Sequence, residues 1–177
     1  DKVKNILVTL GGSDQLNLNE KIAKTLVKLS QYKLNIRFVT GIMDEIIGSL
    51  EDYFPPYPGT VRFLRNCSNM AEQMLWADLA ITGGGLTKYE TAVTGTPSMV
   101  LSQAKHQHEA MKKFQEAGTT SYLGFGEDVR ESEIAEKIET LINDLTVRRR
   151  MSHNGKDLVD GRGVYRIVSK LSKEETV

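Results

Sequence analysis

Within Thr82-Gly83-Gly84-Gly85-Leu86-Thr87-Lys88-Tyr89-Glu90, three consecutive glycines run into a threonine and then a carboxylate. Glycine lets the main chain take positive φ and lets a ligand approach it closely. If a helix begins directly after the glycines, its first N–H groups lack intrahelical partners and favour an anion, of which phosphate is the obvious example. Thr87 would be one of the first helical residues; its hydroxyl and N–H can both donate to such an anion, or the hydroxyl can be satisfied by local backbone. Glu90 stands about one turn further on. An ionised carboxylate only accepts hydrogen bonds, and its two oxygens match the cis-diol of a ribose, although acids near helix N-termini are also favoured by the dipole alone. The run is neither Gly-x-Gly-x-x-Gly nor a Walker pattern, so it specifies neither a dinucleotide fold nor a P-loop.

Two more segments carry polar groups in a similar setting. Gly11-Gly12-Ser13-Asp14 can bind phosphate or cap the following helix, capping being the safer expectation. In the segment 102–107, Gln107 suits hydrogen bonding to a sugar, with His106 beside it. His106 and His108 have no further residues at metal-ligand spacing, so no metal and no cofactor is expected. No Gly-x-Ser-x-Gly elbow occurs and Cys67 has no evident base, so covalent catalysis is not indicated. His153 and the basic run Arg148-Arg149-Arg150 read as solvated helix face.

All three segments follow apolar, β-rich runs. Strands are expected at 5–10, 35–40, 61–64, 79–81, 98–101 and 121–123. Helical periodicity follows at Ile22, Leu26 and Leu29; at Met43, Ile46, Ile47 and Leu50; at Met70, Met74 and Leu75 behind a cap at Ser68 or Asn69; and at Tyr89, Ala92 and Val93 after the glycines. Further helices are expected over 108–117, ending on a left-handed Gly118, and over 131–143, 146–159 and 164–171. The prolines at 55, 56 and 58 mark a surface connection. Such alternation predicts an α/β fold: a Rossmann-like, doubly wound parallel sheet of about six strands with helices on both faces, in one domain over residues 1–177. In such sheets ligands bind at the carboxyl ends of the strands, so the three segments should open on one edge.

Composition sets the frame. The 177 residues are 40% apolar and 26% charged, as in a globular domain with a sizeable core. Twenty-three basic residues balance 23 acidic ones, which gives no electrostatic reason to expect nucleic acid or an anionic membrane as partner. A single cysteine is compatible with a reducing compartment, and no apolar run reaches the roughly 18–20 residues of a membrane span, so a cytoplasmic location is expected. The chain starts almost directly on a strand, as a fragment of something longer would.

Taken together and in order, 10–14, 69–74, 77–90, Gly95-Thr96-Pro97 and His106-Gln107 resemble the C-terminal half of GT-B-fold nucleotide-sugar enzymes. They are most similar to the UDP-sugar hydrolases of the pseudaminic acid pathway and the spore-coat polysaccharide biosynthesis proteins, and more distantly to the peptidoglycan N-acetylglucosaminyltransferase. The resemblance covers about 5–118. It implies that Gly83, Gly84, Gly85, Leu86 and Thr87 hold a diphosphate, that Glu90 binds the ribose, and that Leu64, Arg65 and Asn66 border the uracil. Gln107 and His106 would face the sugar or its phosphate, and Gly11, Gly12 and Ser13 would line an interdomain cleft. The relatives tend to have serine at the position of Leu86 and asparagine at that of His106. The implied partners are UDP or a UDP-sugar, and an N-terminal acceptor and catalytic domain in the same or a separate chain. With the catalytic residues expected in that half, this chain should bind better than it catalyses. Hydrolysis is preferred over transfer on motif similarity. The other readings are the small subunit of a two-chain glycosyltransferase and a non-enzymatic nucleotide-binding module.

Overall fold

The computed structural model describes residues 2–41, 50–54 and 56–174. In it β1 (Asn5–Thr9), β2 (Asn35–Thr40), β3 (Thr60–Arg65), β4 (Leu79–Gly83), β5 (Ser98–Ser102) and β6 (Thr120–Phe125) form one sheet in the order β3-β2-β1-β4-β5-β6. Every pairing is parallel. The order reverses between β1 and β4, which makes that boundary the topological switch point of a doubly wound fold. The side chain of Asp78 fixes the register there, accepting the backbone N–H groups of Lys4 and Asn5, each at 2.9 Å.

The helices are α1 (Leu18–Lys28), α2 (Met70–Trp76), α3 (Thr87–Thr94), α4 (His108–Glu116), α5 (Glu131–Asn143), α6 (Leu145–Leu158) and α7 (Gly163–Glu174). β4 and β5 are buried along their whole length, as strands covered on both faces must be. On one face Ile6, Val8, Ile36, Phe38, Ile81 and Leu101 pack with Ile22 and Leu26 of α1 and Ile134 and Ile138 of α5. On the other, Leu7, Val39 and Ala80 meet Met74 of α2, while Val100 meets Ala92 of α3 and Met111 and Phe114 of α4. Fully burying each of these side chains other than alanine contributes roughly 1.5–3 kcal/mol.

Element order and boundaries agree with the sequence-based expectations to within a few residues. Leu50, helical and buried, is the part of the expected helix face at 43–50 that lies among the described residues. Two expectations need correction. Arg148 is no solvated residue: it is 5% exposed, and its guanidinium Nη1 donates to the carbonyls of Leu141 and Ile142 at the end of α5. A run of three arginines looks like a charged face, but the first closes the free C-terminal carbonyls of the preceding helix. In α3, the inward residues are Lys88, Thr91 and Ala92, with Tyr89 and Val93 turned partly outward.

Candidate functional site

The carboxyl ends of β1, β4 and β5 release the three polar segments side by side. They line a cavity of about 430 Å³ that includes Gly11, Gly12, Ser13, Gly85, Leu86, Thr87, Gln103 and Gln107. The walls are tied together by amide side chains. Gln103 Nε2 donates to the Leu10 carbonyl at 2.5 Å, linking the β5 loop to the β1 loop. Gln107 Oε1 accepts the Gln103 backbone N–H at 3.0 Å, closing the β5 loop on itself.

Close approach explains two of the glycines. A Cβ at Gly83 would come within 2.8 Å of the Leu10 carbonyl oxygen, and one at Gly84 within 2.7 Å of Ser102 Oγ and 2.8 Å of Gln107 Oε1. Gly85 is different, since a Cβ there would meet nothing within 4 Å; its bare backbone borders open space at the cavity wall.

Lys88, 8% exposed, is central to the geometry of the glycine loop and was missed in the sequence. Its ammonium donates to the carbonyls of Gly85 at 2.9 Å and Gly84 at 3.3 Å and lies 4.8 Å from the Tyr89 ring centroid. Burial pushes its pKa below the ordinary lysine value. In a planar trans peptide the C=O and the next N–H point in opposite directions. Drawing the carbonyls of Gly84 and Gly85 toward Lys88 therefore turns the N–H groups of Gly85 and Leu86 away from it. No side chain caps the N-terminus of α3, which begins at Thr87. The result is a set of backbone donors at the positive end of a helix, suited to an anion.

A second cavity of about 220 Å³ adjoins the first, and Gly11 and Thr87 line both. Glu90 lines it, together with Thr9, Thr40, Gly41, Asn66, Cys67 and Met70. Glu90 thus flanks the uncapped N-terminus of α3 from one helical turn away, beside the end of β2 and the turn after β3. Asn66 takes a left-handed conformation, φ 47°, with its N–H on the Thr40 carbonyl at 3.1 Å. Buried hydroxyls without a protein partner, Thr40, Thr82 and Ser102, lie at the carboxyl ends of β2, β4 and β5 beneath these loops.

The structure thus brings together Gly11, Gly12, Ser13, Gly85, Leu86, Thr87 and Gln107 along one cavity, with Gly83 and Gly84 packed behind it and Glu90 in the next. Leu64 and Arg65 end β3, Leu64 half-buried against the core and Arg65 exposed; neither lines the two cavities, where Asn66 does. His106 is exposed on a 3-10 turn, Lys105–Gln107, and lines neither. Asp14 resolves the choice between capping and phosphate for its own side chain: the buried carboxylate accepts the N–H groups of Leu18 at 2.8 Å and Asn19 at 2.7 Å, capping α1. Gln103 belongs to the site by its contacts. Only its place in a polar segment after a strand could have signalled this. Among the described residues, no group of three or more His, Cys, Asp or Glu could hold a metal ion, and no helix is long and apolar enough to cross a membrane.

Comparisons with known proteins identify the family and the fold. The profile of the Glycosyltransferase family 28 C-terminal domain matches residues 5–163. Over 172 residues the chain is 32% identical to the spore coat polysaccharide biosynthesis protein SpsG of Bacillus subtilis (strain 168), covering 95% of this chain and 50% of that protein. It is 29% identical over 116 residues to the pseudaminic acid cytidylyltransferase and UDP-2,4-diacetamido-2,4,6-trideoxy-beta-L-altropyranose hydrolase of Helicobacter pylori, covering 65% of this chain and 20% of that protein. The chain therefore spans half or less of the length of these relatives. Among solved structures, Acinetobacter baumannii MurG superposes with a TM-score of 0.80 at 19% identity, over 98% of this chain and 50% of that one. The UDP-GlcNAc 2-epimerase from Neisseria meningitidis bound to UDP-GlcNAc gives 0.71 at 18% identity, over 98% and 45%. At such identities these two likenesses are of fold.

Proposed function

The chain belongs to the Glycosyltransferase family 28 C-terminal domain family, and from that premise we propose that it is the UDP-sugar-binding part of an enzyme acting at the anomeric phosphate. One observation carries the reading: the glycine loop, pinned from behind by Lys88, opens at the uncapped N-terminus of α3 with Glu90 one turn away. A nucleoside diphosphate fits that pairing. Its phosphates meet backbone donors and the Thr87 hydroxyl, and its ribose diol meets a carboxylate. The names of the relatives, one a polysaccharide biosynthesis protein and one partly a UDP-sugar hydrolase, support the same substrate class.

Cleavage breaks the bond between the anomeric carbon and the phosphate oxygen, and the electron pair leaves with that oxygen. Negative charge therefore grows on the diphosphate as the reaction proceeds. The N–H groups of Gly85 and Leu86 and the positive end of α3 are fixed before the reaction begins, so they stabilise that charge without reorganising. The anomeric carbon is taken by water in hydrolysis or by an alcohol in transfer. We favour hydrolysis, because the Helicobacter pylori relative is named as a hydrolase of a UDP-sugar. The groups that activate the attacking oxygen are assigned to the part of the enzyme beyond this chain, which spans 50% and 20% of the length of the two relatives. A cytoplasmic site of action, where nucleotide sugars are made and used, completes the proposal.

Calorimetric titration of the chain with UDP and with UDP-N-acetylglucosamine tests it. Binding of both, unaffected by chelators, is expected. A folded protein that binds neither would overturn the reading.

A further inference from the structure

We infer that a third cavity, at the carboxyl ends of β5 and β6, selects the sugar of the donor by taking an uncharged, acylated or deoxygenated face of the hexose. The inference rests on the proposed UDP-sugar function. This cavity, about 370 Å³, adjoins the anion-binding one, and Ala104 lines both. In the strand order β3-β2-β1-β4-β5-β6 the cavity that Glu90 lines lies at the ends of β1, β2 and β3 and this one at the ends of β5 and β6, so a donor whose ribose is held at Glu90 and whose phosphates lie between has its sugar end directed here.

A backbone irregularity builds the cavity. Val100 pairs with Tyr122, but Leu101 pairs with Gly124 and Ser102 with Phe125, so β6 carries one extra residue at a bulge. Gly124 takes φ 117°, which a side chain would resist. In a regular strand residues 122 and 125 face opposite sides of the sheet. The bulge brings both to one cavity, whereas Leu123 packs into the core of the other face.

The lining is held in place by contacts that serve no other evident purpose. Tyr122 Oη lies 2.9 Å from His108 Nδ1, with the two rings 5.6 Å apart. The turn after β6 is pinned by Lys21, whose ammonium donates to the carbonyls of Gly126 at 2.8 Å and Val129 at 2.5 Å, and by the Gly126 N–H on the Ser102 carbonyl at 2.8 Å. Two aromatic rings and Ala104 present apolar surface to C–H and methyl groups, while Lys105 and Asp128, of opposite charge, leave the cavity without a net preference for an ion. A neutral sugar with apolar substituents matches that chemistry better than an acidic one.

The test compares affinities of UDP, UDP-N-acetylglucosamine and UDP-glucuronic acid for the wild-type chain and for Phe125→Ala and His108→Ala, by calorimetry. In the wild type, UDP-N-acetylglucosamine should bind more tightly than UDP-glucuronic acid. Phe125→Ala should weaken UDP-N-acetylglucosamine about 5- to 10-fold and His108→Ala about threefold, with UDP unchanged within about twofold. His108 is exposed, so its variant carries the test if Phe125→Ala fails to fold. If UDP binds and neither variant changes the ratio of UDP-N-acetylglucosamine to UDP affinity, the sugar subsite is wrong and the UDP-sugar function stands. Tighter binding of UDP-glucuronic acid would overturn the substrate class assigned here. If the folded wild type binds none of the three, the function itself falls, and this inference with it.

Discussion

Gln103 Nε2 and the Leu10 carbonyl oxygen are 2.5 Å apart, joining loops that are separated by 93 residues in the chain. The bond crosses the switch point of the sheet and sets the spacing of the two walls between which we place the diphosphate. Gln103→Ala should lower stability by about 0.5–1.5 kcal/mol, seen as a lower denaturant midpoint with an unchanged slope. UDP affinity should fall several-fold as the walls lose their fixed separation. Unchanged affinity would mean that the walls are set by the sheet alone.

The neighbouring glycines should respond differently to the same substitution. At Gly84 a methyl group would press on Ser102 Oγ and Gln107 Oε1, displacing Gln107 from the Gln103 N–H, so Gly84→Ala should cost about 1–3 kcal/mol of stability. At Gly85 the methyl would enter open space, so Gly85→Ala should leave thermal stability within about 0.5 kcal/mol of wild type. Any loss of UDP affinity in the second variant is then a direct steric effect at the cavity wall. Equal melting temperatures for both variants would show that Gly84 is not constrained as its surroundings indicate.

Glu90→Ala should weaken UDP by roughly 10- to 100-fold, the range for hydrogen bonds to a charged group. The same variant should bind UDP and 2′-deoxy-UDP nearly equally, because the group that senses the 2′-hydroxyl is gone. A variant that binds UDP as wild type while 2′-deoxy-UDP remains the weaker ligand would place the ribose contact elsewhere.

The junction between α6 and α7 contains a titration that can be followed directly. Asp160 accepts the Arg166 guanidinium at 2.6 Å and the Arg162 N–H at 2.9 Å, which holds its carboxyl from 3.8 down to about 2. The folded-state value is depressed, so the stabilisation is fully present above pH 3.8 and is lost as pH falls through about 2. Carboxyl carbon shifts measured against pH should give Asp160 a midpoint near 2, and Arg166→Gln should raise it toward 3.8. A midpoint that does not move would remove Arg166 as the cause.

Most of the fold was legible because parallel strands buried on both faces read as short apolar runs, and the runs from Leu79 to Ile81 and Ser98 to Leu101 are of that kind. The place of the glycine loop before a helix, and of Glu90 one turn on, was legible because both follow from local backbone preferences. Lys88 was not: lysine after a glycine loop suggests a ligand contact or solvent, and only the packed structure shows its ammonium turned back onto the loop's own carbonyls. Arg148 was hidden in the same way by Arg149 and Arg150, which are exposed. The bulge in β6 left a single sign, Gly124, because register is a property of two strands and not of one.

The pairing of β1 with β4 has a kinetic consequence. β1, β2 and β3 are consecutive, whereas Ile6 meets Leu79 across a longer loop, whose closure costs somewhat more chain entropy. The cavity in which we place the diphosphate has one wall on each side of that seam and so does not exist until the seam has formed. A ligand bridging Gly11 and Thr87 would then act as a clasp between the two halves of the sheet. It would slow the release of β4, β5 and β6 more than it would hasten their arrival.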